Sequence, residues 1–205
     1  MMALTGDELN VSRETFERLR VYVSLVEKWT PKINLIAKST VPHIWSRHVM
    51  DSVQLYKAGP EKFDLWVDMG SGAGFPGVVV AILAHDEPDQ KGVMLVESDQ
   101  RKAAFLRAAL RETGVAGTVV PERIEALSPQ GANVVSARAL ADLTTLLSFA
   151  NRHLASGGVA LFSKGAHWQK EVQEAKLAWS FSYEALKSET DEGAVMLRIG
   201  EITRV

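Results

Sequence analysis

Apolar positions in the first sixty residues recur at helical spacing. Ser12 stands where an N-cap belongs, and Glu14 falls in the first turn, where the helix dipole favours an acid. Phe16, Leu19, Val23, Val26 and Trp29 then mark one buried face. Pro31 is expected to end that helix. A second helix is expected from near Ser39-Thr40, with Pro42 in its first turn, carrying Ile44, Trp45, His48, Val49, Ser52 and Tyr56. At Asp64 the texture changes to short apolar runs alternating with amphipathic stretches. Strands are predicted at Leu65–Asp68, Val93–Glu97, Thr118–Val120, Val134–Ser136 and Val159–Ser163, and helices near Pro76–Ala84, Gln100–Glu112, Leu140–Leu154 and Trp168–Trp179. Such alternation calls for a parallel sheet covered on both faces. Two strand-like segments, Phe181–Lys187 and Ala194–Ile202, close the chain around Glu192-Gly193 and predict an antiparallel pair across a tight turn. The fold class is therefore α/β: a doubly wound, mostly parallel sheet with a C-terminal antiparallel hairpin. We divide the chain into an N-terminal helical extension packed on the core (1–60) and the sheet-bearing domain (61–205).

Val67-Asp68-Met69-Gly70-Ser71-Gly72-Ala73-Gly74-Phe75-Pro76-Gly77 sits where an apolar strand gives way to a helix. Glycines there let the backbone turn sharply and approach a ligand, and Pro76 pre-sets the first helical turn. Gly72, Gly74 and Gly77 satisfy the dinucleotide spacing G-x-G-x-x-G. Two features argue against a nicotinamide cofactor. Asp68 would set a carboxylate beside a pyrophosphate, and an amine-bearing ligand, such as a methionine moiety, suits that position better. The next acid at a strand end, Glu97, comes 29 positions after Asp68, longer than the roughly 20 of the dinucleotide pattern. Glu97 is placed to accept both hydroxyls of a ribose.

Asp68-x-Gly70-x-Gly72-x-Gly74 followed by Glu97 resembles the class I S-adenosylmethionine-dependent methyltransferases, a Rossmann-like fold. The likeness sharpens with Ile33-Asn34-Leu35-Ile36, Arg47-His48-Val49-Met50-Asp51-Ser52, the Gly-Phe-Pro-Gly loop, Arg123-Ile124-Glu125 and Ser136-Ala137-Arg138-Ala139, in that order. Together these resemble the bacterial 16S rRNA guanine-N7 methyltransferases, also called glucose-inhibited division protein B, over nearly the whole chain. The resemblance implies an S-adenosylmethionine site at Gly70, Gly72, Gly74, Phe75, Glu97, Ile124, Glu125 and Arg138. It also implies methylation at N7 of a guanine in the decoding-region loop of 16S rRNA, within the small ribosomal subunit. The family's Ser-Arg-Ala is Ser136-Ala137-Arg138-Ala139 here, with one residue inserted, so no role follows for Ser136.

Composition narrows the chemistry. At 205 residues, 46% hydrophobic and 23% charged, the chain fits a globular domain of ordinary size. It has no cysteine, which removes thiolate metal sites and the nucleophile that pyrimidine C5 methylation requires. No Asn/Asp-Pro-Pro-aromatic loop follows the fourth strand, as exocyclic-amine methylation would commonly use. A ring nitrogen such as N7 already presents a lone pair and needs no general base, so no single catalytic acid or base is expected. Net charge is −2, without the basic excess common in nucleic-acid binders. Residues 1–60 do hold eight Lys/Arg against six Asp/Glu, while 61–135 hold seven against eleven.

Arg47, His48 and Lys164 are the candidates for holding RNA. Two of them have a plainer reading, Arg47 paired with Asp51 one turn away and His48 packing in the core, whereas Lys164 follows the fifth strand beside Gly165, at the strand ends where ligands bind such sheets. Trp29, Trp45, Trp66, Trp168 and Trp179 read as core, whereas Phe75 lies in the glycine loop itself. The N-terminal Met-Met-Ala-Leu-Thr-Gly-Asp-Glu lacks a leader's basic and apolar regions, and the longest apolar run, Val78 to Ala84, is too short to span a bilayer. A cytoplasmic monomer that uses no metal is expected. A nicotinamide oxidoreductase and a non-catalytic rRNA-binding assembly factor on the same fold remain open alternatives at this point.

Overall fold

The computed structural model describes residues 6–205, apart from the side chains of Asp7 and Glu8; Met1–Thr5, part of the stretch read for a leader, lies outside them. A short helix α1 (Gly6–Leu9) precedes α2 (Arg13–Ile33). Ser12 caps α2, its Oγ accepting the Thr15 amide at 3.1 Å. Pro31 does not end this helix. It sits inside the last turn, and the helix stops at Asn34, whose left-handed φ of 52° lets its amide reach Thr30 O. The expected second helix is not a single α-helix either. It runs as a 3-10 stretch (Lys38–His43), a π turn (Trp45–Val49) and α3 (Met50–Lys57). Pro42 lies within the 3-10 stretch, where it cannot donate to a regular α-helical ladder.

The sheet-bearing part follows as β1 (Phe63–Met69), α4 (Gly77–Leu83), β2 (Gln90–Val96), α5 (Gln100–Thr113), β3 (Thr118–Val120) and β4 (Ala132–Arg138). Then come α6 (Leu143–His153), β5 (Leu154–Lys164), α7 (Trp168–Ala175), β6 (Trp179–Lys187) and β7 (Val195–Arg204). The seven strands lie in the order β3-β2-β1-β4-β5-β7-β6. β1 pairs in parallel with β2 (Trp66 with Val93) and with β4 (Trp66 with Val134), while β7 runs antiparallel between β5 and β6. The hairpin is antiparallel as expected, but its connection spans residues 188–194 instead of a tight turn.

Strand periodicity explains how both faces are covered. Trp66, Val93, Leu95, Val134 and Leu161 point to one face and pack with Tyr22 and Val26 of α2, Val79 of α4 and Phe105 of α5. Val67, Val96, Val135 and Phe162 point to the other and meet Leu146 and Leu147 of α6 and Val172 of α7. The central strands are thus covered on both sides, which is why β1, β4 and the second half of β5 read as apolar runs, whereas the edge strands β3 and β6 are largely open. The tryptophans serve this core: Trp66 is wholly buried, Trp179 nearly so, and Trp29, Trp45 and Trp168 pack against it. The sheet order reverses between β1 and β4, so a crevice opens beyond their carboxyl ends.

Candidate functional site

The glycine loop leaves β1 at Met69 and enters α4 at Gly77. Its glycines have different tasks. Gly72 has φ +56°, and a Cβ there would meet nothing closer than Gly70 O at 3.8 Å, so its open side faces the cleft. Gly74, at φ +94°, is turned inward: a Cβ would lie 2.5 Å from Val78 Cγ2 and 2.9 Å from the Tyr22 hydroxyl. Gly74 is therefore a packing glycine, and it does not line the cleft. Gly77 lets the first turn of α4 press on β1, since a Cβ would fall 2.6 Å from Asp68 Oδ2.

Asp68 does not face the crevice, contrary to the expectation of a carboxylate near a ligand amine. Two residues after Trp66, it shares that residue's face of the sheet and lies beneath α4, 1% exposed. Its Oδ2 accepts the Gly77 amide at 3.2 Å and its Oδ1 the Ser136 hydroxyl at 2.7 Å. Ser136 in turn accepts the Trp66 indole N–H at 2.9 Å, which supplies the role the sequence left blank. Burial pushes the Asp68 carboxyl up to about 6, against the stabilising pull of those hydrogen bonds.

The cleft has a volume of about 540 Å³, within the range of ligand sites. It runs along the strand ends in spatial order. Ile124 and Glu125 stand beyond β3, Glu97 beyond β2, Gly70 and Gly72 beyond β1, Arg138 at the end of β4 and Ala139 to Ala141 beyond it. Glu97 accepts the Gly72 amide on Oε2 and the Asp99 amide on Oε1, both at 2.8 Å. Each oxygen keeps a lone pair for a further donor. The floor is also made by Leu35 and Ile36, just beyond the αL cap of α2. The Ile33-Asn34-Leu35-Ile36 pattern by itself assigns them no role in the site. Leu140, Lys102 and Phe149 were likewise missed, because spacing within one segment does not reveal what folds over another.

The mouth beside β4 is built on Phe75. His48 stacks on its ring at 5.1 Å, Tyr22 packs at 5.0 Å, and the Arg138 guanidinium lies 5.3 Å above it. Thr40 Oγ1 donates to Ala37 O, so it accepts from His48 Nε2–H at 3.1 Å; His48 Nδ1 has no partner among the described residues. Burial, then the Arg138 and Arg47 charges, lower His48 to about 4, so it is neutral at pH 7. Arg138 donates to Arg47 O at 3.4 Å, and burial holds its pKa below the usual arginine value while Asp51, Tyr22 and Asp68 push it back up. Arg47 does not pair with Asp51. It reaches Asp191 at 2.8 Å in the 188–194 connection, and Asp51 accepts hydrogen bonds from Thr190 and Ser188 of the same segment.

Lys164 is not brought to the mouth. Its side chain is buried, 7% exposed, donating to Glu171 at 2.7 Å and to Ala141 O at 2.8 Å. It is therefore not placed to hold RNA. Among the described residues no cluster of three or more His, Asp or Glu is arranged for a metal.

A nucleoside bearing an amino acid fits this cleft: an acid with spare lone pairs at its middle, an apolar Ile124 beyond, and an open glycine where backbone approaches closely. The family model described as rRNA small subunit methyltransferase G (GidB) matches residues 15–194. Ribosomal RNA small subunit methyltransferase G of Ruegeria pomeroyi is 55% identical over 205 residues, covering 100% of both chains. Among solved structures, M. jannaschii TYW2 in complex with AdoMet superposes with a TM-score of 0.58 at 14% identity, over 86% of this chain and 80% of that one. A TehB-like SAM-dependent methyltransferase from Corynebacterium glutamicum gives 0.58 at 12% identity, over 90% and 98%. These structural likenesses carry the fold.

Proposed function

The chain belongs to the rRNA small subunit methyltransferase G family, and on that premise we propose that it methylates N7 of a guanine in 16S rRNA, using S-adenosylmethionine. The observation that carries this reading is the run of strand-end groups along one cleft: Ile124 and Glu125, then Glu97, then Gly72, then Arg138 above Phe75. S-adenosylmethionine supplies an electrophilic methyl on a sulfonium. Glu97 accepts the ribose hydroxyls on its spare lone pairs, Ile124 and Glu125 take the adenine end, and Gly70 and Gly72 admit the methionine end close to backbone. On that order the glycine loop and Arg138 to Ala141 would flank the methyl-donor end.

The guanine lone pair needs no base to create it, so the chain's task is alignment and exclusion of water. The mouth matches that task, since His48 is neutral and Arg138 is a fixed cation. Arg138 or Arg47 meets the O6 edge of guanine or a neighbouring phosphate, and His48 holds the Phe75 platform. The same reading has the protein act as a cytoplasmic monomer without a metal, with Leu35 and Ile36 of the N-terminal extension completing the site.

The test is transfer of labelled methyl to small ribosomal subunits lacking native methylation, with the product mapped by mass spectrometry. Label at one N7-methylguanine of 16S rRNA is expected. Absence of label with tight S-adenosylmethionine binding would favour the assembly-factor reading, and tryptophan quenching by NADH but not by S-adenosylmethionine would revive the oxidoreductase. Gly72→Asp is expected to abolish cofactor binding, measured by calorimetry.

A further inference from the structure

We propose that Lys164 and Glu171 are a positioning pair that sets the Ala139–Ala141 wall of the cleft, and with it the alignment of methyl donor and acceptor. This rests on the methyltransferase reading for the meaning of that wall. The geometry stands without it.

A lysine is almost never buried without a partner. Lys164, at the end of β5, spends its ammonium on two acceptors: Glu171 Oε2 on α7 and the carbonyl of Ala141. The same Glu171 oxygen also accepts the Leu143 amide at 2.9 Å, at the start of α6. One ion pair thus grips the backbone on both sides of Asp142, whose own side chain caps α6 by accepting the Thr145 amide at 2.9 Å. The gripped segment needs such support. Ala139 stands at φ +53°, a conformation a residue with a Cβ keeps only where its surroundings impose it. Next to it Leu140 lies against Gly70, close enough that a Cβ on that glycine would fall 2.5 Å from Leu140 Cδ1. The segment therefore sets how the β4 wall meets the glycine loop, the place where the transferred methyl would emerge. Leu140 is 37% exposed, so burial of its own side chain does not hold it there.

The experiment compares Lys164→Met, Lys164→Arg and Glu171→Gln with the wild-type full chain. The first readout is amide hydrogen exchange of the ligand-free protein. The Leu143 amide, which donates to Glu171, and the Thr145 and Leu146 amides, which donate to Asp142, are expected to lose protection selectively in Lys164→Met and, less strongly, in Glu171→Gln, the milder variant because Glu171 is partly exposed. Lys164→Arg is expected to keep most of it. The second readout is methyl transfer to unmethylated small subunits. In Lys164→Met kcat should fall about 10- to 100-fold, as misplacement of a reacting group by about 1 Å does. S-adenosylmethionine affinity should stay within about threefold, and Lys164→Arg should recover part of kcat.

Unchanged protection at the Leu143, Thr145 and Leu146 amides, or protection lost evenly through the sheet, would overturn the proposal. So would a rise in KM for the subunit at constant kcat, with a salt dependence flattened by about one unit, because that is the signature of a lost phosphate contact. A wild-type protein that transfers no methyl would refute the functional reading alone, since the exchange experiment is made without cofactor or RNA.

Discussion

Tyr22→Phe tests whether the N-terminal helix is part of the cofactor site. Tyr22 belongs to α2, is wholly buried, and donates its hydroxyl to the carbonyl of Ala73 at 2.7 Å. Ala73 lies between Gly72 and Gly74 and itself lines the cleft. Among the described residues no other donor reaches that carbonyl. Removing the hydroxyl leaves the ring in place, so the burial of the side chain and its contact with Phe75 at 5.0 Å persist. The loss reduces to one buried hydrogen bond and a carbonyl left without its partner, about 1–2 kcal/mol.

In a chain of this length each kcal/mol lowers the melting midpoint by about 2–4 °C, so a fall of about 2–8 °C is expected. Because the bond ends in the glycine loop, part of the cost should appear as weaker S-adenosylmethionine binding, about 2- to 10-fold by calorimetry. Tyr56→Phe is the control. Its hydroxyl donates to Gln90 Oε1 at 2.6 Å, away from the cleft, so stability should fall while cofactor affinity holds. Equal affinity losses in both variants, or none in Tyr22→Phe, would refute the idea that α2 holds the loop.

Two glycines of one loop should fail in opposite ways. Gly77→Ala puts a Cβ 2.3 Å from Leu95 Cδ2 and 2.6 Å from Asp68 Oδ2, so denaturant melts should show a loss of about 3 kcal/mol. Gly72→Ala meets nothing within 3.4 Å, costs about 1–2 kcal/mol for its left-handed φ, and should weaken S-adenosylmethionine at least about tenfold because the new methyl enters the cleft. The third prediction concerns acid. His48 is held near 4 in the folded chain against about 6.5 unfolded, so the unfolded state takes up its proton first as pH falls. Its contribution is whole above about 6.5 and is lost as pH falls through 4. After allowance for solvent screening at a half-buried ring it amounts to about 1–2 kcal/mol. His48→Gln should flatten the stability profile between pH 6.5 and 4 relative to wild type, and parallel profiles would refute this.

The sheet was legible because its central strands are buried on both faces and read as apolar runs; all seven strands and the four helices between them were placed, most of them to within a few residues, although β5 begins at Leu154, well before the expected Val159. Asp68 was misread for a reason of parity. A strand-end acid was taken to face a ligand, yet its register with Trp66 sends it beneath α4, where Gly77 and Ser136 hold it. Glu97 differs because it lies one residue past the end of β2, where the chain turns and the two-residue alternation no longer fixes its direction. Contacts across long separations were the least visible. Nothing in the local pattern distinguishes Arg47 pairing with Asp51 from Arg47 reaching Asp191, because the choice is made by where the 188–194 connection lands. Leu35 and Ile36 enter the cleft for a similar reason: Asn34 turns the chain at the end of α2, and tertiary packing alone tells what lies opposite.

The arrangement of titratable groups bears on the chemistry more than any one of them does. The group pushed closest to neutrality, Asp68 at about 6, is closed off beneath α4 and cannot exchange a proton with anything in the cleft. At the mouth, His48 has been made a poorer base, its Nε2 proton committed to Thr40 and its charge opposed by two arginines. A reaction that had to remove a proton from its acceptor would place a group of intermediate pKa at the mouth. This site instead has an aromatic platform, a guanidinium laid over it, and backbone walls fixed from behind. The Ile124 wall is held by α6, where buried His153 bonds Ile124 O at 3.0 Å and Arg152 bonds Leu127 O at 2.7 Å. The β4 wall is held at the other end of the same helix by Glu171 and Lys164. With both walls referred to one rigid element, the distance between them is set by the fold. That is what a displacement on a ready lone pair requires, since its rate depends on alignment and on little else the protein can provide.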